Sequence, residues 1–112
     1  MSYLADHIED LLCKIFPLLT IQKEYYVVYK NQRLFVDFYL PSLLIAVEVH
    51  GRQHDVFVEH YHKDSKGWID HQKRDKLKEE WAHLEGITYV VIRESDNINT
   101  KEDLMSAIER AQ

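Results

Sequence analysis

Three polar residues stand where a packed sheet tolerates few of them: Asp37, Glu48 and His50. They fall in the run Phe35–Asp55, which otherwise reads as two buried strands around a turn at Pro41 and then a loop opened by Gly51. Carboxylates are rarely buried without a partner or a metal. Side chains alternate along a strand, so Glu48 and His50 share a face while Val47 and Val49 point into the core. If Leu40–Leu43 is a tight reversal, Asp37 lies opposite a residue between Ala46 and Glu48. Cross-strand neighbours have Cβ atoms ~4.5–5.5 Å apart, and diagonal ones ~7–8 Å. Two carboxylates that close raise one another's pKa unless a cation sits between them. A hard divalent ion, Mg2+ or Mn2+, is the natural occupant. The carbonyl of Val49 could add a ligand where its backbone is clear of the ladder. His50 would then stand beside the metal-bound water, to take its proton or to hold it. The competing readings are an ion pair with Arg52, Arg74 or Arg93 and, for His50, a neutral histidine hydrogen-bonded in the sheet.

The flanking elements must bring these residues together. Leu4, Ile8, Leu11, Leu12 and Ile15 have the spacing of an amphipathic helix over 3–16, which Pro17 stops. Glu9 flanks its apolar stripe, either as a solvated boundary carboxylate or as a group leaning over the sheet toward the site. Residues 21–29 are β-branched and aromatic and read as a strand, half in the core, with aromatics left over for a dimer contact. Residues 33–40 and 43–50 follow as strands, and the short connections make the three an antiparallel meander. The third is nearly all apolar, as a central strand covered on both faces would be. A polar segment over 51–66 carries Gln53 and His54, candidate contacts to phosphate or water. A helix from Lys66 to Glu85 puts Leu77, Trp81 and Leu84 on one face, with Lys73, Arg74, Lys76 and Lys78 crowding the rest. Gly86 suits a helix C-terminus, and Ile87–Arg93 reads as a fourth strand, parallel to the third. Thr100-Lys-Glu-Asp103 resembles a capping box for a short last helix. His60, His62 and His71 invite a zinc site. Without thiolates and with irregular spacing, solvated histidines are the simpler account.

The 112 residues make one domain, 1–112, with net charge −5 and a single cysteine, Cys13. The charge counts against a nonspecific nucleic-acid binder, although carboxylates that hold a cation escape part of that argument. One cysteine leaves no intramolecular disulfide and fits a reducing compartment. No apolar run approaches a membrane span, and the first residues lack a basic region followed by an apolar one. The expectation is a cytoplasmic protein without membrane association.

Val36-Asp37-Phe38 followed by Val47-Glu48-Val49-His50 resembles the paired acidic motif of the PD-(D/E)xK nuclease superfamily. The order helix, three strands, helix, strand is that superfamily's core. The likeness is strongest to its very-short-patch-repair-like branch, which includes homing and phage endonucleases with mixed carboxylate and histidine sites. Such proteins carry an Asp-Phe strand, a Val-Glu-Val-x-Gly strand end, a downstream His, an Arg-Asp pair on a helix and a strand ending in Arg. Here these are Asp37-Phe38, Val47–Gly51, His54, Arg74-Asp75 and Val91-Ile92-Arg93. The likeness runs from residue 9 to residue 93. It implies a restriction-endonuclease-like α/β fold: an αβββαβ core whose mixed four-stranded sheet is flanked by helices. It also implies a Mg2+- or Mn2+-dependent endonuclease acting on DNA. Asp37, Glu48 and Val49 would hold the metal, Glu9 would be a third acid, and Arg74, Lys78, His54 and Gln53 would contact DNA. One site cuts one strand, so double-strand cleavage would require a homodimer. Two positions depart from the pattern. The superfamily's Lys, two residues after the second acid, is His50, and its Pro is Val36. His50 is then a general base, a residue that supports the ligands, or the mark of a lost activity. The last case is a catalytically inactive module that binds nucleic acid or a protein partner.

Overall fold

The computed structural model describes residues 3–51 and 65–112. The elements are α1 (Tyr3–Ile15), β1 (Gln22–Tyr29), β2 (Gln32–Leu40), β3 (Ile45–His50), α2 (Ser65–Leu84), β4 (Thr88–Arg93), a 3-10 turn at Glu94–Asp96 and α3 (Lys101–Ala111). The strands form one mixed sheet in the order β1-β2-β3-β4, with β1 to β3 antiparallel and β4 parallel to β3. The expected αβββαβ core is therefore present, followed by one more helix.

All six residues of β3 are buried, the four apolar ones together with Glu48 and His50. Its two faces serve different purposes. Val47 and Val49 join Phe38, Leu40, Val90 and Ile92 beneath α1, through Ile8, Leu11 and Leu12, and α3, through Leu104 and Ile108. Ala46 faces the other way, with Tyr39 and Ile87, under Trp81 and Ala82 of α2. Glu48 and His50 share that second face by alternation.

Alternation breaks once in the outer hairpin. Phe38 and Leu40 pack in the first core, yet Leu34 and Val36, of the same parity, pack in the second. The switch falls at Asp37. The β1–β2 register pairs Lys23 with Phe38 and Tyr25 with Val36, and skips Glu24 and Asp37 between them. Glu24, with φ +49°, takes the left-handed backbone that an L-residue seldom adopts, at the same level of the ladder on β1.

Two features differ from the sequence reading. β3 begins at Ile45 rather than residue 43, because Leu44 turns with φ +53° and its carbonyl accepts from the Thr88 N–H at 2.8 Å. Leu84 is 70 % exposed at the last position of α2; the small Ala82 is buried in its place and lets the helix approach the sheet. Cys13 lies on the exposed side of α1.

The helix ends follow the local sequence. Gly86, at φ +70°, closes α2 with Ile87 N–H donating to Ala82 and Gly86 N–H to His83, the 6→1 and 5→2 bonds of a Schellman motif. Asp103 completes the cap of α3, accepting from the Asn99 and Thr100 N–H groups while Thr100 Oγ1 accepts from Asp103. His7 Nε2 donates to the Ile98 carbonyl at 2.9 Å and ties α1 to the entry of α3. Among the described residues, no helix is long and apolar enough to cross a membrane.

The core under α1 allows a direct comparison. Leu12 is fully buried in it and Leu18 is 95 % exposed. Leu12→Ala should cost about 2–5 kcal/mol in urea unfolding, while Leu18→Ala should stay within about 0.5 kcal/mol of wild type.

Candidate functional site

The β2–β3 ladder ends at Phe38–Val47. One more pair would set Asp37 opposite Glu48. Instead, the two carboxylates take over the work of the missing carbonyls. The Asp37 N–H donates to Glu48 Oε1 at 2.9 Å, and the Val49 N–H donates to Asp37 Oδ2 at 2.7 Å. The two acids are thus locked crosswise between strands that have parted. The N–H of Val49 faces β2 beyond the last ladder pair.

The rest of the site comes from α2. Lys78 Nζ donates to Glu48 Oε2 at 3.0 Å. His50 Nε2 lies 3.6 Å from that same oxygen and 3.9 Å from Asp75 Oδ1. His71 Nε2 lies 3.9 Å from Asp75 Oδ2. His71, Asp75 and Lys78 follow at i, i+4 and i+7, the spacing that aligns side chains on one face of a helix. Glu48 is 2 % and His50 4 % exposed. The site opens beside them into a cleft of about 490 Å3 between α2 and β4, whose walls include His50, Lys73, Asp75, Lys76, Tyr89 and Arg93.

Burial sets the electrostatics. It raises the Asp37 carboxyl above its ordinary value, and Glu48 adds to the rise; the Val49 N–H, Lys78 and His50 pull the other way. The Tyr89 phenol is pushed far up, by burial first and then by Glu48, Asp75, Glu79 and Asp37, so it stays protonated as a donor. Its hydroxyl is buried and has no hydrogen-bond partner among the described residues.

The structure sorts the residues expected from the sequence. Asp37, Glu48, His50 and Val49 do meet. Lys78 meets them too, but as the ion-pair partner of Glu48 and not as an outward phosphate contact, because its position on α2 faces the sheet. Arg74 is exposed and lines a separate groove with Lys30, Gln32 and Leu77. Glu9 does not join the site. Its carboxylate pairs with Lys23 at 3.1 Å, and its helix spends Ile8, Leu11 and Leu12 on the opposite face of the sheet. Gln53 and His54 lie outside the described residues, as do Arg52, His60 and His62. Tyr89 is the contributor that the sequence did not suggest, while His71, weighed there only with the loop histidines for zinc, and Asp75, named only in an Arg-Asp pair, were not joined to this site. The 71-75-78 spacing was the available signal for those two. For Tyr89 it was two-residue alternation back from Arg93.

No family model matches the chain, and no solved structure does. Over 62 residues, 55 % of the chain, it is 34 % identical to uncharacterized protein 307L of Invertebrate iridescent virus 6. Over the same length it is 29 % identical to uncharacterized protein 033L of Invertebrate iridescent virus 3. The matched stretch spans 32 % of each of these relatives.

The raised Asp37 carboxyl gives a pH test. Its ordinary value is 3.8, and the folded value lies above it, so ionisation opposes folding at higher pH. Asp37→Asn should therefore stabilise the metal-free protein near neutral pH. The gain should shrink as pH falls through the folded pKa and vanish below the unfolded one, where both states are protonated. Urea unfolding of both proteins across that range measures it. A pH-independent difference would show that some other change dominates.

Proposed function

We propose that this chain is a divalent-metal-dependent endonuclease that cleaves or nicks phosphodiester bonds of DNA inside the cell. The observation that carries it is the crosswise pair Asp37–Glu48 at the point where two strands part, with a lysine from the overlying helix on the second acid. A superfamily lysine that is missing at position 50 has a counterpart in Lys78. The donor set suits a cation: the buried Glu48 carboxylate and, beside it, the Asp37 carboxyl, which burial holds above its ordinary value. A bound Mg2+ or Mn2+ would polarise the scissile phosphate and lower the pKa of a water.

The chain's own groups divide the remaining work. Asp37 and Glu48 frame the cation site and, through the strand N–H groups, fix each other. Lys78 carries a positive charge to the place where negative charge develops on the phosphate. His50 orients a water or accepts its proton. Lys73, Lys76 and Arg93, on the cleft walls, offer positive charge to the flanking backbone phosphates. These three cations share the cleft with Asp75 and Glu79, so its walls are less acidic than the chain's net charge of −5 suggests. Double-strand cleavage would bring two copies together.

The second reading is a nuclease-fold module that no longer cleaves and binds nucleic acid or a protein. One observation favours it: Lys78 already satisfies Glu48 without a metal. Supercoiled plasmid separates the two. The enzyme should nick it with Mg2+ or Mn2+, stop with EDTA, and lose activity in Asp37→Ala and Glu48→Ala. Lys78→Ala should slow nicking by roughly 10²–10³-fold, as removal of a transition-state donor does. Activity that survives both acid substitutions would sink the assignment. No nicking by a folded protein that still binds DNA would favour the module.

A further inference from the structure

We infer that the cation seat is formed by Glu48, His50 and Asp75, not by the Asp37–Glu48 pair, and that it takes a borderline divalent ion such as Mn2+ or Co2+ in preference to Mg2+. The inference rests on the nuclease reading of this site and revises which acid completes the cation seat, Asp75 in place of Asp37. Its test measures metal binding and not cleavage, so either can fail without the other.

Geometry is the first support. One ligand atom from each of the three residues lies within 4.8 Å of the others. The His50 Nε2 separations of 3.6 and 3.9 Å are wider than hydrogen bonds between those atoms. Ligands ~2.0–2.2 Å from one ion stand roughly 3–3.6 Å apart, so a small inward movement of Asp75 would close the set. Asp37 is not in that set; its Oδ2 accepts from Val49, and its N–H occupies Glu48 Oε1. The other Glu48 oxygen, Oε2, is the one beside His50. Asp37 is therefore a positioning residue that aims Glu48. Lys78 also donates to Oε2, which has a second lone pair and can ligate while accepting.

Chemistry is the second support. An imidazole among two carboxylates suits Mn2+, Co2+ or Zn2+, whereas Mg2+ prefers oxygen and retained water. Glu48 and His50 sit on the central strand and Asp75 on the helix above it, so two packed elements fix the donors. His71 lies on the far oxygen of Asp75, as a group that orients a ligand would. The buried Tyr89 hydroxyl borders the cluster and supplies a donor to a water held there. His50 and Asp75 both line the cleft, which provides the way in.

The test is titration of tag-free, metal-stripped protein with Mn2+ followed by electron paramagnetic resonance, and with Co2+ followed by visible absorption. One site should fill, with a nitrogen signature in the Co2+ spectrum, and excess Mg2+ should not displace the ion. Asp75→Asn, at a partly exposed position that the fold tolerates, and His50→Gln should each weaken binding at least about tenfold. Asp37→Asn should still bind, with circular dichroism confirming that each variant is folded. Binding that is unchanged in Asp75→Asn, or lost in folded Asp37→Asn, would overturn the assignment. Equal competition by Mg2+ would overturn the metal preference.

Discussion

Two backbone N–H groups, those of Asp37 and Val49, set the layout of the functional face. A buried N–H must find an acceptor, and an orphaned one costs about 1–3 kcal/mol. Where β2 and β3 part, the strands can no longer supply carbonyls to each other. Asp37 and Glu48 supply carboxylates instead, each to the opposite strand. The acids thus hold open the gap in which they sit. Their charge is tolerable there because hydrogen bonds from N–H groups, and the Lys78 ammonium on Glu48, replace part of the lost hydration. Structure and chemistry are therefore carried by the same atoms, and a carboxylate at these positions cannot be judged by one role alone.

The helix over this face is built in two parts. Toward its C-terminus, Leu77, Trp81 and Ala82 dock on Tyr25, Tyr39 and Ala46, with Trp81 at 6.3 Å from the Tyr25 ring and 6.4 Å from the Tyr39 ring. Toward its N-terminus it presents His71 and Asp75 to the polar end of β3. The apolar half anchors the helix, and the polar half reaches the site from that anchor. An amphipathic helix with one continuous apolar stripe could not do both.

Much of this was legible in the sequence, for physical reasons that can be located. The order of elements followed from clean periodicity in α1 and from the apolar run in β3. The pairing of Asp37 with Glu48 followed from strand alternation and a short turn. What escaped had to do with direction in space. Glu9 borders an apolar stripe, and nothing local says that its helix covers the far face. Lys78 looks like one cation in a basic run, and only the docking of Trp81 turns it inward. The break at Glu24 comes with a φ angle that no residue type announces, since Glu is an uncommon choice for left-handed backbone. The expectation that Leu84 is buried failed because periodicity does not record where a helix runs off its sheet.

That break has a consequence for how the molecule can vary. Because side-chain parity resets at Glu24 and Asp37, the outer hairpin and the strand ends near the site obey separate inside-outside patterns. The outer hairpin answers to Trp81 through Val27, Leu34 and Val36, while Tyr26 and Phe35 stack on its free surface at 5.3 Å. The inner ends answer to α1 through Phe38 and Leu40. Drift in the outer half, even a paired lengthening of both strands, leaves the placement of the two acids untouched. The hairpin is a modular arm on a fixed hub, and diversification of this protein's surface has its freest ground there.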